Sequence, residues 1–168
     1  FDTFGCAYQA TDSLLLSFQI PPSPNLGPDT TICAGESLLL EAGSFGGSYL
    51  WFDGSSANTN LVQSSGLYWV EIKDSLTCIG TDTMQLTVQP LPNVSFTALD
   101  PTYCSLDSAV TLLGSPTGGI FIGTTGPNGL FDPAIAGGGT FAVQYQYTDG
   151  FGCSAATTLL TWGSLLFP

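Results

Sequence analysis

The stretch of sequence that decides the fold is residues 140–153, which read Thr-Phe-Ala-Val-Gln-Tyr-Gln-Tyr-Thr-Asp-Gly-Phe-Gly-Cys. Large apolar side chains alternate with small or polar ones. Because successive side chains of a β-strand point to opposite faces, this pattern predicts a strand with one buried face. The core-facing side chains are Phe141, Val143, Tyr145 and Tyr147. The Asp149-Gly150 pair that follows predicts a tight hairpin turn into a second strand, Ala155–Trp162.

A second alternating stretch, Gly-Leu-Tyr-Trp-Val-Glu-Ile at residues 66–72, predicts the same arrangement earlier in the chain. With the neighbouring stretch at residues 49–52, it assigns the inward side chains as Tyr49, Trp51, Tyr68, Val70 and Ile72. Leu67 points outward, and so do three further apolar side chains, Leu50, Phe52 and Trp69. We expect these three to form an exposed apolar contact patch, because they lie on one face of neighbouring strands.

Turn residues divide the rest of the chain into short segments of the same kind, and no helical period competes with them. Together with Ala155–Trp162, and including the stretches above, the predicted strands are Ser37–Ala42, Ser48–Asp53, Leu67–Lys73, Thr81–Val88, Val94–Ala98, Ala109–Leu113, Gly119–Ile122 and Thr140–Thr148. Many short strands separated by turns are typical of a Greek-key sandwich. The predicted fold class is therefore all-β, with tandem immunoglobulin-like β-sandwiches.

An internal repeat sets the predicted domain boundaries. Asp stands four residues before Cys in Asp2-Thr-Phe-Gly-Cys6, Asp74-Ser-Leu-Thr-Cys78 and Asp149-Gly-Phe-Gly-Cys153, and the three cysteines are 72 and 75 positions apart. This is the period of a compact β-sandwich. Proline-rich linkers follow at residues 20–24 and 89–92. We predict the last strands of a preceding repeat plus a linker at 1–22, one repeat at 23–91, and a second subtype at 92–168.

Charge excludes several classes of function. The chain has 13 acidic residues, one basic residue and no histidine, for a net charge of −12. Such a chain cannot neutralise phosphates, so nucleic acid and anionic membranes are poor partners. No stretch is long and apolar enough for membrane insertion. Histidine-dependent catalytic triads and histidine-ligated metals are ruled out. We predict that the segment is not an enzyme and has no catalytic residues.

The five cysteines include no Cys-x-x-Cys pair, so we interpret them as disulfide-forming. Sequence order predicts that Cys33 is bonded to Cys78 and Cys104 to Cys153, which is one disulfide per repeat. Cys6 would then be bonded to a cysteine upstream of this segment. Closing loops of this size stabilises each repeat by about 4 kcal/mol on the chain-entropy model. Such bonds persist in an oxidising compartment and predict an extracellular protein.

Several motifs together cover nearly the whole chain. In the first repeat they are Leu26-Gly-Pro-Asp-Thr-Thr-Ile-Cys33-Ala-Gly-Glu-Ser, Tyr49-Leu-Trp51, Ser65-Gly-Leu-Tyr68-Trp-Val and Asp74 to Cys78. In the second they are Tyr103-Cys104, Ser115-Pro-Thr-Gly-Gly119, Phe131-Asp-Pro-Ala134, Ala136-Gly137 and Tyr147 to Cys153. The chain resembles the immunoglobulin-like and PKD-like repeats of very large secreted surface proteins of Bacteroidetes, among them gliding-motility adhesins exported by type IX secretion. The resemblance implies a cell-surface location.

Asp followed by Ser or Thr recurs along the chain and is similar to the O-glycosylation signal of secreted Bacteroidetes proteins. This resemblance makes five hydroxyl side chains candidate attachment points: Ser13, Thr30, Ser75, Thr83 and Ser108. Chance is the competing interpretation, because the chain is rich in Ser and Thr. Glycans would hydrate a surface that is short of charge.

The recurring Asp2, Asp74 and Asp149 could bind structural calcium, but no Asp-x-Asp-x-Asp loop is present. We favour turns in which each Asp caps its own backbone, and we predict no cofactor.

The patch of Leu50, Phe52 and Trp69 could contact the next repeat, pack laterally against another copy, or stack on a sugar, and interface burial is the commonest fate of such patches. We expect the chain to be a structural repeat segment of a long extracellular fibre or adhesin stalk, able to self-associate into filaments. The alternatives are a module that binds surface polysaccharide, or a spacer attached to an enzyme elsewhere in the parent chain. Residues 1–20 could complete a preceding repeat or act as a donor strand in another subunit.

Overall fold

In the computed structural model, which describes residues 20–97, 99–126 and 128–164, the chain is built from short strands. The first six are β1 (Thr30–Cys33), β2 (Leu38–Glu41), β3 (Ser48–Trp51), β4 (Thr59–Val62), β5 (Gly66–Lys73) and β6 (Ile79–Gln89). The next six are β7 (Ser95–Thr97), β8 (Thr102–Cys104), β9 (Val110–Thr111), β10 (Leu113–Ser115), β11 (Ile120–Gly123) and β12 (Leu130–Phe131). A one-turn helix, α1 (Pro133–Ala136), precedes β13 (Gly139–Thr148) and β14 (Ser154–Ser164). The all-β prediction is confirmed.

The two halves of the chain share one sheet plan. The first half has a four-stranded sheet, β1-β6-β5-β3, and the pair β2-β4. The second has a four-stranded sheet, β11-β13-β14-β8, and the pairs β10-β7 and β12-β9. In each four-stranded sheet the last long strand of that half, β6 or β14, lies beside a short parallel strand, β1 or β8. The order of the strands in the four-stranded sheet is thus the same in both halves.

Contacts between Cα atoms group the described residues into two compact units. One comprises residues 20–26, Glu41–Asn60 and Trp69–Thr83, and the other comprises Gly27–Leu40, Leu61–Tyr68 and the described part of 84–164. The sequence segments 1–22, 23–91 and 92–168 stay a prediction.

The core contains the side chains that alternation assigned to it. Tyr68, Val70 and Ile72 on β5 are buried, as is Trp51 on β3, whereas Tyr49 is half-buried. In the second half, Val143 and Tyr145 are buried, with Phe141 and Tyr147 partly buried against the same cluster. The buried members of this cluster are Phe96, Tyr103, Leu112, Phe121, Phe131, Val143 and Tyr145. The predicted orientation of the long strands is confirmed.

Tyr145 occupies a closely fitted position in this cluster. Its hydroxyl accepts a hydrogen bond from the Gly119 N–H at 2.8 Å and donates one to the Pro116 carbonyl. A Cβ added to Gly114 would lie 2.1 Å from the Tyr145 ring. Because glycine has no Cβ, residue 114 leaves room for the Tyr145 ring.

The disulfide pairing differs from the prediction. Cys33 is bonded to Cys153, with 5.5 Å between their Cα atoms and a sequence separation of 120. Cys78 and Cys104, the other two cysteines in the described part of the chain, are free thiols. The predicted pairs Cys33–Cys78 and Cys104–Cys153 are therefore wrong, and Cys6 lies outside the described residues.

Strand geometry explains the error. Cys33 lies beside Gln89, the last residue of β6, while Cys78 immediately precedes the first residue of β6. Eleven residues of extended strand separate these levels, which is about 36 Å at roughly 3.3 Å per residue. A disulfide needs Cα atoms about 4.4–6.8 Å apart. Cys104 lies beside Ser164 and Cys153 precedes β14, so the same distance separates the second predicted pair.

Candidate functional site

Two cysteines occupy matching places at the ends of short parallel strands. Cys33 ends β1, and the next N–H, of Ala34, donates to the Gln89 carbonyl at 2.8 Å. The Cys33 N–H donates to a Glu36 carboxylate oxygen at 2.8 Å, and the Glu36 N–H donates back to the Cys33 carbonyl at 3.0 Å. We name Cys33 and its counterpart Cys104 the strand-end cysteines.

Cys104 repeats this geometry at the end of β8. The Ser105 N–H donates to the Ser164 carbonyl at 3.2 Å, as Ala34 does to β6. The Cys104 N–H donates to an Asp107 carboxylate oxygen at 2.7 Å, and the Asp107 N–H donates to the Cys104 carbonyl at 2.9 Å. A carboxylate three residues after the cysteine thus closes the same turn in both halves.

The other two described cysteines end Asp-centred turns. Asp149 Oδ1 accepts hydrogen bonds from the N–H groups of Phe151, at 2.9 Å, and Cys153, at 3.0 Å. The Asp149 N–H donates to the Cys153 carbonyl at 2.9 Å, and the Gly152 N–H donates to the Asp149 carbonyl at 3.1 Å. Gly152 has φ +89°, a conformation that glycine adopts without a steric penalty. Cys153 and Cys78 are hereafter the Asp-turn cysteines.

Asp74 builds the same turn before Cys78. Its Oδ1 accepts from the N–H groups of Leu76, at 2.9 Å, and Cys78, at 2.8 Å. Thr77 takes the place of the glycine with φ +69°. The prediction that Asp74 and Asp149 cap their own backbone is confirmed, whereas Asp2 lies outside the described residues. Within the described ranges, no three metal-ligating side chains of the Asp, Glu, Cys or His type lie together.

The predicted apolar patch lies on one face of the β3–β5 pair. Leu50 lies opposite Glu71, and the Phe52 N–H donates to the Trp69 carbonyl at 3.2 Å, so Phe52 lies opposite Trp69. Leu50 and Phe52 are exposed, and Trp69 is half-buried. We name these three residues, Leu50, Phe52 and Trp69, the Trp69 face.

A carboxylate lies at the edge of the Trp69 face. The pKa of Asp53 is lowered because the Asn60 side-chain amide and the Ser55 N–H donate to its carboxylate, each at 3.0 Å. Asp53 therefore places a negative charge next to Phe52 at neutral pH, and Glu71 lies opposite Leu50 on the same face.

Sequence reasoning missed a second exposed apolar surface, on β14. Leu160 and Trp162 are both more than half exposed, while Thr161 between them is buried and donates to the Asp100 carbonyl at 2.7 Å. The consecutive Leu159 and Leu160 break the alternation, so the pattern did not assign a face. The spacing of two between Leu160 and Trp162 was the available signal.

Comparison with known proteins defines the fold. No family model matches the chain, and no curated protein matches it in sequence. The solved N-terminal eight Ig domains of Down syndrome cell adhesion molecule match 86% of this chain and 24% of their own, at 15% identity and a TM-score of 0.52. The fold is immunoglobulin-like.

The insect immune protein hemolin matches 90% of this chain and 48% of its own, at 12% identity and a TM-score of 0.43. The chain thus spans about a quarter to a half of the length of these two Ig-domain proteins.

The candidate glycosylation positions lie at different depths in the Ig-like structure. Ser75, Thr83 and Ser108 are exposed, whereas Thr30 is half-buried and its hydroxyl donates to the Pro28 carbonyl at 2.8 Å. Ser13 lies outside the described residues. The three exposed hydroxyls are therefore the most accessible candidates.

Within residues 20–97, 99–126 and 128–164, no helix is long and apolar enough to cross a membrane, and α1 has four residues.

Proposed function

We propose that this chain is a structural segment of an extracellular surface protein, in which consecutive Ig-like repeats form the stalk of a fibre or adhesin. The Cys33–Cys153 disulfide carries the proposal. It joins a strand-end cysteine of one predicted repeat to the Asp-turn cysteine of the next. A bond of this kind persists in oxidising surroundings, and its place between predicted repeats suits a connecting role better than a catalytic one.

The resemblance of the motifs also supports a proposal about the source of the parent protein. We assign the parent protein to the large surface proteins of Bacteroidetes, in the manner of gliding-motility adhesins secreted by the type IX system. The recurrence of Asp-x-x-x-Cys and the strand-end cysteines supports this assignment.

Immunogold electron microscopy of intact source cells tests the surface role. An antibody against residues 1–168 should label unpermeabilised cells, with gold displaced outward from the cell envelope. Label found only after permeabilisation, or only in the culture medium, would contradict a surface stalk.

We further propose that exposed Asp-Ser and Asp-Thr positions carry O-linked glycans. The exposure of Ser75, Thr83 and Ser108 supports attachment there. Intact-mass analysis of the native protein should show mass beyond the polypeptide, and the triple variant Ser75→Ala, Thr83→Ala, Ser108→Ala should lose most of it. A native mass equal to that of the polypeptide would reject glycosylation.

Lateral association through the Trp69 face is the proposed route to filaments. Its apolar surface favours burial, whereas the net charge of −12 and the bordering Asp53 and Glu71 oppose close approach of copies. Association should therefore strengthen with added salt, which screens the repulsion. In sedimentation velocity, Trp69→Ala should abolish the increase of mass with concentration. The matched control, Trp162→Ala, should leave it intact; equal effects of the two variants would contradict the assignment to this face.

The second candidate is a module that binds surface polysaccharide through the same face. The half-buried Trp69 indole beside exposed Phe52 favours this alternative, because sugars stack on aromatic rings. Retarded migration in polysaccharide-containing native gels that Trp69→Ala abolishes and Trp162→Ala preserves would support binding. Unretarded migration would reject polysaccharide binding. The remaining interpretations would then be a stalk, or a spacer attached to an enzyme elsewhere in the parent chain.

A further inference from the structure

The two free thiols, Cys78 and Cys104, occupy the same local structures as the two cysteines that are bonded. Cys104 matches Cys33, since each ends a short strand parallel to the last strand of its half and donates its N–H to a carboxylate three residues later. Cys78 matches Cys153 in the same way, through the Asp-centred turn. Among the four cysteines in the described ranges, one of each kind is bonded and one of each kind remains free.

Neither free thiol can bond within its own half of the chain. Cys78 and Cys33 are separated by the length of β6, and Cys104 and Cys153 by the length of β14, about 36 Å in each case at roughly 3.3 Å per residue. Any disulfide that uses these positions must therefore connect two different repeats. The Cys33–Cys153 bond shows the order, because a strand-end cysteine is joined to the Asp-turn cysteine of the repeat that follows it in sequence.

We propose that Cys78 and Cys104 form disulfides of this same kind with cysteines of further Ig-like repeats. Cys104 bonds an Asp-turn cysteine in a following repeat, and Cys78 bonds a strand-end cysteine in a preceding one. The partner of Cys104 carries Asp-x-x-x-Cys, and the partner of Cys78 carries Cys-x-x-Glu or Cys-x-x-Asp. Asp2-Thr-Phe-Gly-Cys6 is a third copy of the Asp-turn motif in this sequence, which indicates that the motif recurs along the chain.

The chemistry is thiol oxidation. Two thiols lose two protons and two electrons as one S–S bond forms, and the electrons reduce a disulfide oxidant, either a thiol–disulfide oxidoreductase or oxidised glutathione, to two thiols. Both free cysteines are partly exposed, so a partner thiol and the oxidant can reach them.

Disulfide mapping of the native protein is the direct test. Without reduction, the Cys104 peptide should be cross-linked to a peptide that contains Asp-x-x-x-Cys, and the Cys78 peptide to one that contains Cys-x-x-Glu or Cys-x-x-Asp. Recovery of either cysteine as a free thiol, blocked by an alkylating reagent without prior reduction, would overturn the proposal. So would a bond from Cys78 to Cys33.

A mixing experiment tests the complementarity with the chain itself. In a Cys6→Ser background, Cys78→Ser leaves only a strand-end thiol free, and Cys104→Ser leaves only an Asp-turn thiol. With oxidised glutathione, the mixture of the two variants should give at least tenfold more disulfide-linked dimer than either variant alone. Peptide mapping should show an intact Cys33–Cys153 bond in both, which verifies folding. Equal yields in the mixture and in the separate variants would mean that the two positions do not recognise each other.

The inference rests on the geometry of the cysteines and not on the surface role. Native mapping can therefore fail while immunogold labelling succeeds, and the reverse.

Discussion

Asp74 and Asp149 each use one carboxylate oxygen to satisfy two backbone N–H groups that their tight turns leave without strand partners. An ionised acceptor makes stronger hydrogen bonds than a neutral one, and buried or half-buried N–H groups are costly to leave without an acceptor. The carboxylate therefore fixes the direction in which the following cysteine leaves the turn. This explains why Asp precedes Cys at constant spacing.

At the residue scale, Asp149→Ala should lower the free energy of unfolding by about 1–2 kcal/mol, because the N–H groups of Phe151 and Cys153 lose their acceptor. Asp149→Asn keeps a side-chain oxygen and should lose about half as much. Urea denaturation under non-reducing conditions measures both. Equal losses would show that the oxygen does not hold the turn.

The short strands β1 and β8 decide where the strand-end cysteines lie, and the sequence pattern did not predict them. Each has three or four residues and follows a proline by one or two positions, so neither shows enough alternation to be recognised. Their parallel pairing with β6 and β14 is a long-range choice that no local motif encodes. The pairing of cysteines by sequence order failed for this reason.

The long strands behave differently. On β5 and β13, the alternation of residues 66–72 and 141–147 was sufficient to assign Val70, Ile72, Val143 and Tyr145 to the core, and Trp69 to the opposite face. Side-chain period is a local property, so it survives without knowledge of the partner strand. The Trp69 face could therefore be predicted, whereas the surface formed by Leu160 and Trp162 was missed because the consecutive Leu159 and Leu160 obscure the alternation.

At the element scale, Gly114→Ala should destabilise the second half by about 1–3 kcal/mol, because its Cβ would overlap the buried Tyr145 ring at 2.1 Å and separate β10 from β13. Gly150→Ala is the matched control: no atom lies within 4 Å of its added Cβ, and its free energy of unfolding should change by less than about 0.5 kcal/mol. Thermal unfolding followed by near-UV circular dichroism compares the two. Similar melting temperatures would show that β10 moves to admit a methyl group.

At the scale of the whole molecule, a single bond closes a loop of 120 positions between Cys33 and Cys153. On the chain-entropy model, closing this long loop removes more entropy from the unfolded chain than closing either one of the two predicted single-repeat loops would. Loss of this one bond should therefore be costly to the stability of the folded chain.

Cys33→Ser or Cys153→Ser should lower the free energy of unfolding by about 4–5 kcal/mol on the chain-entropy model, and the double variant should lose no more than either single one. Cys78→Ser, the matched control, should change it by less than about 1 kcal/mol in the isolated chain. Guanidinium denaturation in a Cys6→Ser background makes the comparison. A large loss for Cys78→Ser would instead support the pairing within each repeat.

The same bond determines how the chain transmits tension. A pull on the two ends of the chain follows the shortest covalent path, which crosses directly from Cys33 to Cys153. The residues between these two cysteines therefore carry no tension. Roughly 400 Å of contour length, at about 3.3–3.6 Å per residue, stays stored behind two sulfur atoms. The strands between Cys33 and Cys153 are thus shielded from the pull, whereas β14, which lies outside the loop, is not. A reductant, rather than force, releases the hidden length.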